Sequence, residues 1–567
     1  MNKRNFLKSV AALGGSALLP SSLNPLAMYK TASAAVDYAG ATVDGTSVPA
    51  VMPQVINIFL YGGPSELSGN LTNMRGVDGI NANSQNSYEL AFGNGILRYE
   101  NELDANGNNG FITKNGFWRG TPNGNNPKID NNGAGGRAMQ FMLDNGHMSV
   151  YRTLMKRLDG TRSHRESLLQ SFKGSLDIEG SPGVGTRIAA TLYEHRTRYQ
   201  NTTVLADNTP ITDIVNDLLL PFVSFEGDTR AFQQDPDTSI PLLFRGITLD
   251  QNFNNPYSRN SNSNDAELEA LLLQNGVKIS DEEYNNLRYS GAANSFNLRA
   301  FLESKISGID TANDDPLPFV TDANDIAEAI INQDPNDLPN NGRLIYPNTQ
   351  YRDRIRAAVT LALVNPGSLY ITVGGGLGGW DDHNNGIDSY RNRMNDLFET
   401  LKAAMLHIKY SDRSQDAAQT GAGSPTGALK TLDGNLRSTD NIVINVYGDF
   451  GRRVNLNGNQ GWDHGNNQNL FTFGGAGVRP GGLAALGKVV GKTVRVGDPG
   501  TNNQVTEPAP GSYEAEPMSV ASTVYSYFGV QNPEVLTRDD ELNPAGVPAI
   551  DETQTGELAE PAFLHHS

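Results

Sequence analysis

The sequence contains no cysteine, which excludes disulfide bonds, thiolate metal ligands and a lipid-modified cysteine. Its leading apolar stretch, residues 10–19, is shorter than the roughly 20 residues that a membrane-spanning helix requires. Basic residues are in the minority, with 44 Lys and Arg against 62 Asp and Glu, and the formal net charge is −18. Nucleic acid and anionic membrane surfaces are poor partners for so acidic a protein. We therefore predict no nucleic-acid partner and no transmembrane anchor.

The first residues have the composition of an export signal. In order they supply a basic start, a short apolar stretch and a small-residue cleavage site: Lys3, Arg4 and Lys8, residues 10–19, and residues 32–34. The start resembles the twin-arginine motif with Lys3 in place of its first arginine, so the Tat and Sec routes both stay open. We expect residues 1–34 to be a signal peptide, residues 35–52 a linker, and the mature protein to be periplasmic, at the cell surface or extracellular.

Three apolar runs share one pattern, because each predicts a buried strand that ends in glycine followed by acidic, hydroxyl or imidazole side chains. The runs are residues 55–61, 369–373 and 442–447. They lead into Gly62-Gly63-Pro64-Ser65-Glu66, into Trp380-Asp381-Asp382-His383, and into Gly448-Asp449-Phe450-Gly451-Arg452-Arg453. Ligands of open α/β sheets bind where the parallel strands end. The recurrence therefore predicts one composite site.

The remaining patterning predicts an α/β fold. Strands are expected at 147–151 and 221–225, and helices at 187–199, 351–364 and 389–409. Strands alternating with helices favour a mainly parallel sheet with helices on both faces. We expect one large domain over residues 53–567, with insertions near 101–136, 250–345 and 411–438. Helices predicted at 265–273 and 281–306 would make the second insertion a helical and loop cap.

Several oxygen and nitrogen donors follow the predicted strands and suit a divalent metal ion, Zn, Mn or Mg. They are Asp381, Asp382, His383, Asp449, Asp463 and His464. Each carboxylate taken alone is most simply a solvated loop residue. The set is more informative, because two of only eight histidines each stand next to aspartate in a Trp-Asp context. We interpret it as a metal or former metal site.

Hydroxyl and guanidinium groups near these donors are candidate catalytic groups. Ser65 follows Gly62-Gly63-Pro64, where backbone amides can bind an anion, although a turn serine is the simpler interpretation. Ser163 and His164 offer a hydroxyl beside an imidazole, the elements of an activated nucleophile, but adjacent side chains often point apart. Arg452 and Arg453 can clamp a phosphate or sulfate, and we expect one of them only to form salt bridges.

Together these residues resemble the bacterial domain-of-unknown-function 1501 family, itself similar to the alkaline-phosphatase and sulfatase superfamily. The motifs that carry the resemblance are Gly62-Gly63, Ser163-His164, Trp380-Asp381-Asp382-His383, residues 447–452 and Trp462-Asp463-His464-Gly465. The resemblance implies an alkaline-phosphatase-like three-layer fold and a divalent metal bound by Asp381, His383, Asp449, Asp463 and His464. It also implies that Ser163, His164 and Arg452 belong to the catalytic site, to which the position of Ser65 at the strand end adds a further candidate.

The sequence departs from the family pattern at the first strand end. Many relatives carry an aspartate close behind the first Gly-Gly, as the first metal ligand, whereas this chain has Pro64-Ser65-Glu66. Either Glu66 takes that place or one metal is lost. Asp449 stands where the family has glutamate. Formylglycine chemistry is not expected, because the chain has neither cysteine nor an S-x-P-x-R segment.

The leading functional hypothesis is an exported hydrolase that uses a metal ion to cleave an anionic phosphate or sulfate ester, in a small molecule or a polymer. The alternative is a catalytically inactive exported binding or assembly protein that retains the fold. The intact Asp-His motifs favour the first hypothesis. The missing early aspartate favours the second.

Overall fold

Eight strands form one sheet at the centre of the computed structural model. In chain order they are β1 (Gln54–Leu60), β2 (Met148–Met155), β3 (Phe222–Phe225), β4 (Ile247–Leu249), β5 (Tyr370–Val373), β6 (Ile442–Gly448), β7 (Asn467–Gly474) and β8 (Val489–Val490). Their order across the sheet is β8-β2-β7-β6-β1-β5-β3-β4. All neighbours pair in parallel except β6 with β7 and β7 with β2, so β7 runs against the other strands. The predicted α/β class with a mostly parallel sheet is confirmed.

The structure describes residues 40–70, 99–225, 230–249, 317–374, 379–411 and 439–557, with 431–432 and 435–436, apart from gaps at 104–105, 108, 126, 235–239, 242–243, 321, 333–341 and 498–502. These residues belong to one compact unit. A second unit, Met1–Ala35 with Tyr257–Ile306, lies outside the described residues. The predicted signal peptide, the cap helices at 265–273 and 281–306, and most of the insertion at 411–438 therefore also lie outside them.

Helices accompany the sheet along the chain. They are α1 (Gly136–Asp144), α2 (His164–Lys173), α3 (Val184–Glu194), α4 (Arg196–Tyr199), α5 (Ile214–Asp217), α6 (Ala323–Glu328), α7 (Arg352–Val364), α8 (Gly386–Tyr410) and α9 (Ser519–Tyr527). The helices predicted at 351–364 and 389–409 are confirmed as α7 and α8. The helix predicted at 187–199 is divided at His195 into α3 and α4. None of the helices in the described part of the chain has the length and apolar character needed to cross a membrane.

Short strands pair outside the main sheet. The pairs are Thr121–Pro122 with Asp130–Asn131, Thr431–Leu432 with Asn435–Leu436, Gly451–Arg452 with His464–Gly465, and Thr493–Val496 with Val505–Pro508. Phe319–Val320, Ile331–Asn332 and Gly342–Leu344 form a three-stranded sheet. The insertion predicted at 101–136 contains the first of these pairs and ends at the start of α1.

Helices pack on both faces of the main sheet. On one face the ring of Phe172 in α2 lies 5.1 Å from that of Phe59 in β1. On the other face Phe398 of α8 lies 4.7 Å from Phe471 of β7. The register separates the two faces, because Phe59 pairs with Tyr447 whereas Phe471 pairs with the preceding residue of β6. Every residue of β1 and β6 is buried, as their continuous apolar runs predict.

A row of polar side chains crosses the buried centre of this sheet. The amide of Asn57 donates to the hydroxyl of Tyr370, and the amide of Asn445 donates to the carbonyl oxygen of Asn57. The hydroxyl of Thr472 donates in turn to Asn445, at 2.7 Å. Because each buried polar group is paired with its neighbour on the next strand, a one-residue slip would break the row. The row therefore holds the strands in one register.

The register brings four chain segments to one edge of the sheet. β1, β5 and β6 are parallel and end at this edge. β7 is antiparallel to them and therefore begins there, directly after the short strand His464–Gly465. The residues that follow three strands and those that precede a fourth are thereby brought together.

Candidate metal centre

Four side chains converge at this edge and can hold a metal ion. They are His164, Asp381, His383 and His464, and their ligand atoms all lie within 4.8 Å of one another. His164 is the first residue of α2, Asp381 and His383 follow β5, and His464 lies in the short strand before β7. The side chain of Asp381 is 48% exposed, so the group is open to solvent on that side.

The end of β1 supports the segment that carries Asp381. Gly62 has a φ of 117°, and a Cβ atom there would lie 2.5 Å from the backbone nitrogen of Asp381. Only glycine accepts both that conformation and that contact without strain. The backbone nitrogen of Trp380 donates to the carbonyl of Tyr61 at 3.0 Å. The Gly-Gly at this strand end therefore allows two loops to pack directly against each other.

The spacing of the four side chains is close to that of ligands around a single ion. His383 Nε2 lies 2.8 Å from His464 Nε2 and 3.0 Å from Asp381 Oδ1. Asp381 Oδ1 lies 3.3 Å from His164 Nε2 and 3.7 Å from His464 Nε2. Ligands held at zinc distances around a tetrahedral ion are about 3.3–3.5 Å apart. The observed separations fall on both sides of that value.

His164 has one ring nitrogen, Nε2, that makes no hydrogen bond. Its Nδ1 atom lies 2.7 Å from Oδ2 of Asp449, a carboxylate that is completely buried. A carboxylate only accepts, so Nδ1 carries the proton and Nε2 offers its lone pair. Nε2 is itself buried and has no hydrogen-bond partner. An orphaned buried nitrogen directed at two imidazoles and a carboxylate fits a metal ligand.

Asp449 and Asp463 support the histidines from outside the group. The Asp449 carboxylate also accepts from the backbone nitrogens of Gly62 and Phe450, at 3.3 and 3.2 Å. Asp463 Oδ1 lies 3.4 Å from His383 Nδ1. Carboxylates in these positions orient imidazoles and raise their basicity as ligands. Asp382 is separate, because its buried carboxylate pairs with Arg393.

Arg452 crosslinks the loops that form the site. Its side chain is 1% exposed. Its guanidinium donates to Asp381 Oδ1 at 2.8 Å, contacts His383 Nε2 at 3.3 Å, and donates to four backbone carbonyls: Gly62, Gly63, Trp380 and Trp462. The carbonyls and Asp381 use four of the five N–H groups of the guanidinium and the fifth is directed at His383 Nε2, so no pair of donors is left to clamp a substrate anion. The expected role of Arg452 as an anion clamp is therefore not supported by its position.

Local charges set the protonation of the group. Burial raises the pKa of Asp381, but the hydrogen bond and charge of Arg452 outweigh it and the pKa is lowered. Burial, with the charges of Arg452 and the neighbouring imidazoles, lowers the pKa of His464 to about 4. Burial also lowers the pKa of His164, but Asp449 more than compensates and the net shift is upward. Metal binding therefore competes with protonation of His164, which makes binding weaker at low pH.

The structure distributes the predicted site residues over three places. Asp381, His383 and His464 lie in the group, and Asp449 and Asp463 contact its histidines. Glu66 is not in the group, because its carboxylate accepts from the Thr506 hydroxyl and from the Arg452 backbone nitrogen. The predicted nucleophiles Ser65 and Ser163 are N-caps. Ser65 Oγ accepts from the backbone of Leu67 at the start of the short 3-10 helix Glu66–Gly69, and Ser163 Oγ accepts from the backbone of Glu166 in α2. His164 joins the group as a fourth donor rather than as the partner of Ser163.

The fold and this site define an α/β protein with a His/Asp group that can hold a metal ion. Comparison of the chain with protein-family models, with curated proteins and with solved structures gives no match in any of the three. The chemistry of the group itself therefore carries the functional argument.

Proposed function

We propose that the protein is an exported hydrolase of anionic esters with an alkaline-phosphatase-like fold and one divalent metal ion. The observation that carries the proposal is the convergence of three imidazoles and one carboxylate, with a buried unpaired nitrogen on His164. The resemblance to the domain-of-unknown-function 1501 family is part of the proposal. It is supported by the order of the motifs and by their meeting at one edge of the sheet.

The donor set favours zinc or manganese over magnesium. His164, His383 and His464 supply three nitrogens, and Asp381 supplies one oxygen. Magnesium prefers oxygen ligands and retains water, whereas imidazole suits the transition metals. When bound, such an ion polarises an ester oxygen and makes a water molecule more acidic.

The chain's own residues orient the group. Asp449 and Asp463 fix the ring orientations of His164 and His383. Phe450 packs against two of the imidazoles, with ring centroids 4.6 Å from His164 and 4.5 Å from His464. Arg452 fixes Asp381 and joins three loops. A substrate would approach from the side on which Asp381 is exposed.

We propose direct attack by water rather than by a side-chain nucleophile. Ser65 and Ser163 both accept hydrogen bonds as helix caps. In the proposed reaction the water oxygen bonds to the phosphorus or sulfur atom and the ester bond to the alcohol breaks. One proton of the water passes to the departing alcohol.

The alternative is an exported metal-binding protein without catalytic activity. It is favoured by the capping roles of Ser65 and Ser163 and by the structural contacts of Arg452 with loop carbonyls. Both functions share the proposed export, which is supported by the basic, apolar and small-residue segments of residues 1–34. Fractionation that found the full-length chain in the cytoplasm would contradict the export proposal.

Hydrolysis assays separate the two functions. Protein purified without chelators and loaded with zinc or manganese is assayed on a generic aryl phosphate and a generic aryl sulfate. We expect turnover by the wild type, and loss of both metal and turnover in His464→Ala with the fold retained. His195→Ala is the matched control, because His195 contacts the carbonyl of Ala41 and is not in the group. A folded, metal-loaded wild type that cleaves neither ester would favour the binding protein.

A further inference from the structure

The arginines beside the metal centre differ in how their donors are used. Arg452 is fully engaged with loop carbonyls and Asp381. Arg453 donates to the side chain of Asn503 at 2.8 Å and lies 3.7 Å from Asp463. Arg162, which no motif identified, is exposed and donates through Nε to the side chain of Asn466 at 2.8 Å. An anionic substrate therefore needs to be sought at Arg162 rather than at Arg452.

Arg162 belongs to the loops that carry two of the candidate ligands. It precedes His164 by two residues, and its partner Asn466 follows His464 by two residues. Two residues span at most about 7 Å of extended chain. The rings of His164 and His464 are themselves in contact, with centroids 4.7 Å apart. The Arg162–Asn466 hydrogen bond therefore ties these two loops together at the rim of the metal centre.

The hydrogen bond to Asn466 holds the Arg162 guanidinium through Nε and does not involve its two terminal nitrogens. Within the described ranges these nitrogens have no hydrogen-bond partner, and no carboxylate lies within 4.0 Å of them. This is unexpected in a chain with 62 acidic against 44 basic residues. The two terminal nitrogens of a guanidinium form a fork that matches two oxygens of a phosphate or sulfate.

We propose that Arg162 binds the oxyanion of the substrate through the two terminal nitrogens of its guanidinium. This inference rests on the proposed function in one respect, namely that the bound anion is part of the substrate. The binding of an oxyanion can be measured whether or not the protein turns over.

Binding of inorganic phosphate to the full-length, metal-loaded protein tests the proposal by titration calorimetry. We expect Arg162→Gln to weaken phosphate binding about 10- to 100-fold, the loss for a charge-assisted bidentate contact. Arg162→Lys keeps the positive charge but lacks the two paired nitrogens. Its affinity for phosphate should lie between those of the wild type and Arg162→Gln. The matched control is Arg165→Gln, because Arg165 is exposed on the same segment and pairs with Glu179. Metal content and thermal stability should be unchanged in all three variants.

Each outcome decides a separate point. Phosphate binding that is equal in Arg162→Gln and wild type, or absent from the folded wild type, would overturn the inference about Arg162. If phosphate binds through Arg162 but no ester is cleaved, the inference stands and the proposed hydrolase activity fails. In an active enzyme, Arg162→Gln should raise KM with little change in kcat.

Discussion

The Nδ1 atom of His164 lies 2.7 Å from Oδ2 of Asp449, and this contact joins the first residue of α2 to the residue that follows β6. It gives Asp449 a role in orienting a ligand rather than in binding the metal directly. It also explains why the Nε2 atom of His164 is left to face the other three members of the group.

Replacing Asp449 by asparagine should weaken metal binding without abolishing it. Asparagine has nearly the same shape but carries no charge, so it orients His164 less strongly and makes it a poorer ligand. Loss of such a supporting carboxylate typically lowers metal affinity by about 10- to 100-fold. Competition of the protein with a chromogenic chelator measures the affinity.

Asp463→Asn provides the comparison for Asp449→Asn. The contact of Asp463 with His383, at 3.4 Å, is longer than that of Asp449 with His164, and the Asp463 side chain is 32% exposed. We therefore expect a smaller loss of metal affinity than for Asp449→Asn. An Asp449→Asn protein with wild-type affinity would show that the buried contact does not support the metal site.

Arg452→Met should destabilise the fold whether or not metal is present. The substitution leaves buried carbonyls of Gly62, Gly63, Trp380 and Trp462 without their donor. Removing one partner from a buried charged network costs about 3–5 kcal/mol. Urea unfolding of metal-free protein measures the change in the free energy of unfolding.

The neighbouring Arg453→Met is the matched control for Arg452. Its side chain is 24% exposed and its ion pair with Asp463 is long, so the cost should be below about 1 kcal/mol. Equal stability of the two variants would contradict the crosslinking role of Arg452.

The sequence predicts the strands β1, β5 and β6 because each is a continuous apolar run, and the glycine after each marks its end. β7 was not predicted, because half of its residues are polar. Its buried side-chain amides each form a hydrogen bond with a distant part of the protein. Gln468 accepts from the backbone of Gly448, and Asn469 donates to the carbonyl of Glu66. Partners this distant in sequence cannot be inferred from a local pattern.

The candidate site, too, could be predicted from the sequence only in part. The Asp-His motifs identify Asp381, His383 and His464 because their residue types suit a metal. His164 is found only in another role, beside Ser163, because its contact with Asp449 spans 285 positions of the chain. The placement of Arg452 is likewise tertiary, since the carbonyls that it binds belong to three separate loops. A local pattern can indicate donors, but only the fold determines which of them meet.

Glu66 should contribute stability that falls as the pH rises from about 4.5 to about 7. Burial raises the pKa of Glu66 from 4.5 to about 7 in the folded protein. Between those values the folded state binds more protons than the unfolded state, so raising the pH disfavours folding. The full contribution is at most about 3 kcal/mol. It is present below pH 4.5 and is lost once the pH exceeds about 7.

Glu66→Gln should remove this part of the pH dependence, because glutamine has a similar shape and stays neutral. Urea unfolding at several pH values between 4 and 8 measures it, with Glu541→Gln on the exposed surface as the control. The same variant should bind metal as the wild type does, since Glu66 is not in the group. An unchanged slope in Glu66→Gln would contradict the assignment of the raised pKa.

The metal content of wild-type protein purified without chelators tests the central claim most directly. Mass spectrometry of the metals in protein of known concentration, after incubation with zinc or manganese and removal of the excess, gives the stoichiometry. The account predicts one tightly bound ion per chain, retained in His195→Ala and lost in His383→Ala. A well-folded wild type that retains no stoichiometric metal, or a His383→Ala variant that retains it fully, would contradict the account.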